Sequence, residues 1–230
     1  MPRLTQSVAR SRSTRPVRVW LVGAVTGATI GGLLTALALT ASPAQALGSI
    51  PVQCGDGKVV IETDGLSYDL QGTCGVVVVR ASDTVVDVPS SRRLVVRGHD
   101  NVVTARPGDV LQVRGRDNRV RIASTRALVA ASPRSTVTVH GLVEKARLGR
   151  SGVTLSARQI SDLTVRGRGH EVTARRGYDA RVPGDRNHLT FRRLDAVRLG
   201  GEDNRIEVRR AATRVSDPGR DDTIQVHRRR

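Results

Sequence analysis

The stretch GHDNVVTARPGDVLQVRGRDNRVRI, residues 98–122, contains one phrase twice. Gly-x-Asp-Asn followed by alternating apolar and polar residues begins at Gly98 and begins again at Gly115. Alternation with a period of two is typical of a strand that buries one of its faces. Glycine and asparagine both tolerate positive φ, so the Gly-x-x-Asn segment predicts a turn between strands.

The same phrase recurs in weaker form along most of the chain. Stepping by 17 or 18 residues places its first position at Thr63, Ala81, Gly98, Gly115, Ser132, Arg150, Gly167, Gly184, Gly201 and Gly219. The residues five and seven places after each of these anchors are all apolar, and those four and two places before are apolar until Asp217-Pro218. A unit this short cannot bury its apolar face alone, whereas parallel stacking of the units buries it.

We therefore predict an all-β, single-domain parallel β-helix, a solenoid of about ten 17–18-residue coils. It would span residues 59–226, after an amino-terminal cap at 47–58 and before a basic tail at 227–230. A right-handed coil is expected, because the 18-residue hexapeptide pattern of left-handed coils is missing. Aromatic residues are 2% of the chain, which indicates an interior too narrow for rings.

Residues 1–46 have the order of a secretory signal peptide. A basic head precedes a long apolar run, which ends at the small-x-small signal Ala44-Gln45-Ala46. Cleavage after Ala46 is the favoured interpretation. The alternative is an uncleaved membrane anchor at residues 19–42, since the apolar run is long enough to span a bilayer. Both interpretations place the rest of the chain outside the cytoplasmic membrane, secreted or in the cell envelope.

The chain has two cysteines, Cys54 and Cys74, and both lie in the segment predicted to be exported. An even number of cysteines in such a segment favours a disulfide. The pair is separated by a little more than one coil, so both residues would lie on neighbouring rungs, within the Cα distance that a disulfide requires.

The asparagines of the phrase form a column in the predicted solenoid: Asn101, Asn118, Asn187 and Asn204. Asparagines at one corner of stacked strands can hydrogen-bond to their copies above and below. Ser135 and Asp222 extend the column, whereas Val153 and His170 are expected to interrupt it. We interpret this ladder as structural, holding the turns, and not as a binding site.

The repeats at 98–105, 115–122, 184–191 and 201–208 resemble a family of exported actinobacterial proteins of unknown function, built from short G-x-x-N-x-V-x-V repeats. The resemblance covers most of residues 54–226. It implies an extracytoplasmic β-helix and no particular chemistry. Unlike the lipoprotein members of that family, this chain has no cysteine at the end of its signal segment.

No catalytic residue, metal site or cofactor is predicted. The five histidines lack the close spacing of a zinc pair. An acidic column could bind calcium or act in acid–base catalysis, but the same residues suit turns: Asp83, Asp100, Asp117, Asp203 and Asp221. The alternative function, a carbohydrate-active β-helix enzyme (a lyase or hydrolase), is disfavoured because uniform coil lengths leave no long loop to build a cleft.

The strongest indication of function is the excess of positive charge. The formal net charge is +17, and arginines recur at the step of the core. They are Arg158, Arg175, Arg192 and Arg209, with Arg176, Arg193 and Arg210 beside them. In a stacked solenoid this arginine column would run along one corner, and we expect it to bind anions. The alternative is a solvated edge, neutralised by Asp162, Asp179 and Asp195.

The expected partners follow from the compartment. They are an anionic envelope polysaccharide, a teichoic-type polymer or a phospholipid, bound by a non-enzymatic protein. Specific recognition of nucleic acid is not expected, because motifs for base readout are missing. A shorter arginine run at Arg80, Arg97 and Arg114 is a weaker signal of the same kind. A monomer is favoured, since the disulfide would close one end of the solenoid and the basic tail would place charge at the other.

Overall fold

In a computed structural model the chain is a parallel β-solenoid, as predicted. The structure describes residues 48–150, 152–210 and 212–226, and within these ranges the regular elements are all strands. The predicted signal peptide or anchor and the basic tail lie outside the described residues. None of the described residues belongs to a helix long and apolar enough to cross a membrane.

Seventeen strands follow one another along the described part of the chain. They are β1 (Ile50–Gln53), β2 (Lys58–Ile61), β3 (Ser67–Gln71), β4 (Cys74–Val79), β5 (Val85–Val88), β6 (Ser91–Val96), β7 (Val102–Ala105), β8 (Gly108–Val113), β9 (Arg119–Ile122), β10 (Thr125–Ala130), β11 (Thr136–Leu148), β12 (Thr154–Val165), β13 (Glu171–Val182), β14 (His188–Leu199), β15 (Arg205–Val208), β16 (Arg214–Ser216) and β17 (Thr223–Val226). The four longest strands run through a corner of their coil and contribute to two columns of pairing.

All the pairings are parallel and form two columns. The first column contains β1, β3, β5, β7 and β9, the first parts of β11–β14, and then β15 and β17. The second contains β2, β4, β6, β8 and β10, the later parts of β11–β14, and β16. Pairing begins at Ile50, inside the segment expected to form a cap.

The register follows the repeat found in the sequence. Val103 pairs with Val120, and Val120 with Val137. Where a coil has 18 residues, the added residue is accommodated at a corner, as shown by the shift between Val139 and Leu142 in the pairing of β11 with β12. Corner insertions leave the strands in register, so the apolar columns stay aligned.

The core is a thin stack of Val, Leu, Ile and Ala, but the expectation that it excludes rings is wrong. Phe191 is fully buried inside it. The ring fits because the neighbouring coil has small residues at the paired positions. Ala174 pairs with Phe191, and Gly177 pairs with Leu194. A Cβ on Gly177 would lie 2.7 Å from the Phe191 ring. One glycine thus creates the space that one ring occupies.

The last coil departs from the predicted core. Val215 occupies an inward position of the repeat, yet it is 36% exposed. Its strand, β16, has three residues and pairs only with β14. Without a further described coil to cover this end, the inward positions of the last rung remain accessible to water.

The predicted disulfide between Cys54 and Cys74 is confirmed, with a Cα–Cα distance of 4.9 Å. The amide of Cys54 donates to the carbonyl of Gln71 at 2.8 Å, which places Cys54 on the rung beneath. Cys74 begins β4 and is fully buried. The bridge therefore ties the first rung to the second at a corner.

The predicted positive φ is found at the anchor glycines Gly115 (92°) and Gly167 (87°), but the prediction is wrong for the asparagines of the turn. A further left-handed residue lies two places after the anchor, as in Asp83, Asp100, Asp117 and Asp203, with φ between 55° and 58°. Aspartate tolerates this region better than most side chains. The anchor glycine has another role, because a Cβ at Gly98 would overlap the carbonyl oxygen of Ala81 on the previous coil. Close approach of successive coils requires that glycine.

Candidate functional site

The asparagine column is a hydrogen-bonded ladder inside the turn. The Asn118 side-chain oxygen accepts from both the backbone and the side-chain amide of Asn101, each at 3.1 Å. Asn204 accepts from Asn187 in the same way, at 3.0 Å and 3.1 Å. All four asparagines are at most 1% exposed. Each satisfies buried backbone groups that the turn leaves without partners, and none is available to a ligand.

The expected interruption at His170 does not occur. Its Nδ1 accepts from the backbone amide of Val153 at 3.2 Å, and its own amide donates to the Asn187 side chain at 2.9 Å. Its Nε2 lies 2.8 Å from the Arg166 carbonyl, so Nε2 carries the proton. The break lies at Val153 alone, which offers no side-chain acceptor. The amide of Ser135 donates instead to Ser132 O at 3.3 Å.

The stability contributed by His170 should depend on pH. Burial lowers its pKa from 6.5, against smaller opposing contributions from backbone hydrogen bonds. The unfolded chain then binds more protons than the native protein between the two pKa values, so stability falls as the pH drops below about 6.5 and levels off beneath the folded pKa. His170→Asn supplies the same acceptor without titrating. Between pH 7.5 and pH 4.5 the melting temperature of the variant should fall by less than that of the parent. Parallel plots of melting temperature against pH would contradict this.

The acidic column serves the turns. Its members take the left-handed conformation, and two already have polar partners. Asp117 accepts two hydrogen bonds from the Arg134 guanidinium, at 2.7 Å and 2.6 Å, and this lowers the pKa of Asp117. Asp100 lies 3.1 Å from the His99 imidazole. Within the described ranges, no cluster of three or more His, Cys, Asp or Glu side chains is arranged to hold a metal ion.

The arginine column lies on successive rungs, as its spacing indicated. Arg176 pairs with Arg193. Arg158, Arg175 and Arg192 each follow the core residue that ends the first half of β12, β13 or β14, and the amide of Arg210 donates to the Arg192 carbonyl at 2.9 Å. All seven predicted arginines are exposed. Three rung spacings separate Arg158 from Arg209, about 15 Å along the solenoid axis.

The arginines of the column differ in whether they line a groove. A shallow groove of ≈ 630 Å³ is lined by Arg158, Arg175, Arg192, Arg209 and Arg210. Neither Arg176 nor Arg193 lines it. The Arg176 guanidinium instead lies 4.6 Å from the centre of the Tyr178 ring, a cation–π contact beyond the corner. The arginines of this first groove are therefore one arginine file, formed by Arg158, Arg175, Arg192 and Arg209, with Arg210 beside its end.

The carboxylates that were considered as neutralising partners do not pair with this file. Asp179 pairs with Arg181, at 3.6 Å. Within the part of the chain that the structure describes, the one ion pair of the seven arginines joins Arg209 to Glu207, at 3.0 Å. Arg158, Arg175 and Arg192 thus present positive charge to solvent without a described carboxylate within 4 Å.

Sequence reasoning missed a hydroxyl column on the other side of the same groove. Its residues are Thr138, Ser156, Thr173 and Thr190, which pair with one another on successive rungs. All four line the first groove. Their spacing follows the step of the core, so the count that found the arginines would also have found these hydroxyls.

A second groove of ≈ 800 Å³ lies over the second strand column. Its basic residues are Lys145, Arg147, Arg166, Arg181 and Arg198. Asp162 also lines it, and Asp162 Oδ1 is buried without a hydrogen-bond partner among the described residues. This second groove was not predicted. It contains a carboxylate of its own, and its Arg181 is paired with Asp179.

The shorter run Arg80, Arg97 and Arg114 does not form an equivalent site. Arg80 pairs with Glu62 at 2.9 Å, and none of the three lines the first or the second groove.

Comparisons with protein-family models, with curated proteins and with solved structures found no match for this chain.

Proposed function

We propose that this chain is an exported, non-enzymatic β-helix protein of the cell envelope that binds an anionic polymer through the arginine file of the first groove. The observation that carries the proposal is the file itself. Arg158, Arg175 and Arg192 stand one rung apart, exposed, and without a described carboxylate partner. Guanidinium groups bind carboxylate and phosphate oxygens through paired N–H donors.

The repulsion within the file supports a role in binding. Like charges one rung apart disfavour each other, and the same face contains neutral residues at equivalent positions in other coils, such as Ala123. A polyanion lying along the axis would relieve that repulsion at several rungs at once. Multiple weak contacts in one direction give an extended ligand an affinity that a single small anion lacks.

The extracytoplasmic location and the family are part of the same proposal. The Cys54–Cys74 bridge suits an oxidising compartment. The order of basic head, apolar run and Ala44-Gln45-Ala46 suits export. The G-x-x-N-x-V-x-V likeness to exported actinobacterial repeat proteins agrees with both. An envelope protein of this charge meets acidic polysaccharides, teichoic-type polymers and phospholipid head groups.

Replacing Arg158, Arg175 and Arg192 together with glutamine should weaken binding to anionic polymers by at least roughly tenfold, because three charge-assisted contacts are lost. The melting temperature should not fall, because all three side chains are exposed and their mutual repulsion is removed. Binding of the parent should also weaken as salt rises, since exposed charges are screened within about 10 Å at 0.1 M salt. Retention on immobilised polymer at two salt concentrations measures both effects.

The matched control is the triple glutamine variant of Arg147, Arg181 and Arg198 in the second groove, which removes the same charge from another face. It should retain most of the binding. Equal losses in the two variants would indicate a diffuse attraction to the basic surface. A loss confined to the control would move the site to the second groove, and either result would overturn the assignment of the site to the first groove.

A further inference from the structure

The hydroxyl column forms a second file of functional groups in the first groove, the hydroxyl file. A site that bound its ligand through charge alone would not need these hydroxyls. Thr138, Ser156, Thr173 and Thr190 line this groove, and the last three lie two residues before Arg158, Arg175 and Arg192 on β12, β13 and β14, whereas Thr138 on β11 precedes His140. Each rung of β12, β13 and β14 therefore presents one hydroxyl and, beside it, one guanidinium. The hydroxyls end on both sides at charged residues. Thr138 pairs with Arg121 on the preceding coil, and Thr190 pairs with Glu207 on the following coil.

These hydroxyls are available to a ligand. Among the described residues, the one side-chain hydrogen-bond partner of these four hydroxyls is His188, whose Nε2 lies 3.5 Å from Thr190 Oγ1. A hydroxyl both donates and accepts, so it can bond to the hydroxyls of a ligand as well as to its anionic oxygens. A ligand that offers only anionic oxygens would accept hydrogen bonds from the groove, but it would leave the acceptor lone pairs of the hydroxyls without a partner.

The apolar surface between the two files comes from the threonine methyl groups. Val139, Ala157 and Ala174 also line the first groove, but their side chains belong to the core and are at most 7% exposed. A sugar ring has this same mixture of surfaces, with C–H faces, hydroxyls at its edge and, in a uronic acid, one carboxylate. Small-molecule sites generally combine an apolar floor with a few placed polar groups.

We infer that the ligand of the first groove is a linear acidic polysaccharide of the uronic-acid type, lying along the solenoid axis. This inference rests on the proposed function and adds its substrate class. The carboxylates of successive sugars contact the arginine file, and sugar hydroxyls contact the hydroxyl file. A phosphate polymer would use the guanidinium and hydroxyl donors but not the hydroxyl acceptors, and a flat bilayer has no need of a recessed site.

The test separates the two files. The variant Ser156→Ala, Thr173→Val, Thr190→Val removes three hydroxyls at nearly constant volume, and valine is well accommodated on a strand surface. Binding of parent and variant is measured by calorimetry at one salt concentration. The probes are polygalacturonate, its uncharged methyl ester, inorganic polyphosphate and phosphatidylglycerol vesicles.

The affinity of the variant for polygalacturonate should fall roughly tenfold, as expected for three lost hydrogen bonds of modest net strength. Its affinity for polyphosphate should fall by clearly less, because polyphosphate can accept from the hydroxyls but offers them no donor. The methyl ester should bind neither protein measurably. An equal loss for both polyanions, or no loss for either, would overturn the inference.

The remaining outcomes distinguish this inference from the proposed function. Tight binding of polyphosphate or of vesicles, with no binding of polygalacturonate, would leave the anion-binding function standing and overturn the sugar assignment. No binding of any anionic probe by the parent would overturn the proposed function itself. Oligogalacturonates of increasing length add a further check, because their affinity should rise until the chain spans the hydroxyl file and then level off.

Discussion

Phe191→Ala is expected to lower the free energy of unfolding by about 3–5 kcal/mol, the range found when a buried phenylalanine is truncated and leaves a cavity. Phe191 is fully buried in a core whose other large side chains are aliphatic. Its ring occupies space that Gly177 on the neighbouring coil leaves free. The backbone of a stacked solenoid is held by hydrogen bonds on both sides, so it cannot collapse into the gap. Chemical denaturation of parent and variant measures the loss.

The reciprocal change tests the same contact from the other side. Gly177→Ala should destabilise by about 1–3 kcal/mol through overpacking, since its Cβ would lie 2.7 Å from both Phe191 and Leu194. Combining Gly177→Ala with Phe191→Leu should cost less than the sum of the single changes, as expected for residues in contact. Gly57→Ala is the matched control, because a Cβ at Gly57 meets nothing within 4 Å. Additive effects would mean that the glycine does not accommodate the ring.

The second large effect is expected in the ladder. Asn118→Leu should cost more than about 2 kcal/mol, because each buried polar group left without a partner costs about 1–3 kcal/mol. The variant removes the acceptor for the Asn101 amide. It also removes the donor to the carbonyls of Gly98 and Arg114. The melting temperature in thermal unfolding should fall accordingly.

Asn118→Ser separates the two functions of that side chain. A serine hydroxyl can still accept from the amide of the preceding coil, as Ser135 Oγ does from the Asn118 amide at 2.9 Å. It cannot reach the carbonyls that the asparagine amide satisfies. Its effect should therefore lie between those of the parent and Asn118→Leu. If serine and leucine destabilise equally, acceptance by the ladder oxygen contributes nothing to stability.

Several features of the solenoid could be predicted from the sequence, because they depend on spacing along the chain. Apolar residues two apart, repeated at 17 or 18, determined the strands, their parallel stacking and the number of coils. The same step placed Cys54 and Cys74, which are 20 residues apart, on neighbouring rungs and aligned Asn101 with Asn118. It also aligned Arg158, Arg175 and Arg192. A regular solenoid converts sequence periodicity directly into spatial columns, so each column was visible before the structure was known.

Only the tertiary structure decided how side chains fill and line the space between columns. That a ring fits at Phe191 depends on the missing side chain of Gly177, a contact between different columns of two coils. That His170 continues the ladder depends on the position of its Nδ1 relative to the Val153 amide. That Arg175 lines the groove while Arg176 stacks on Tyr178 depends on which side of a corner each points to. Periodicity determines which residues are neighbours, whereas side-chain direction and local volume determine what those neighbours do.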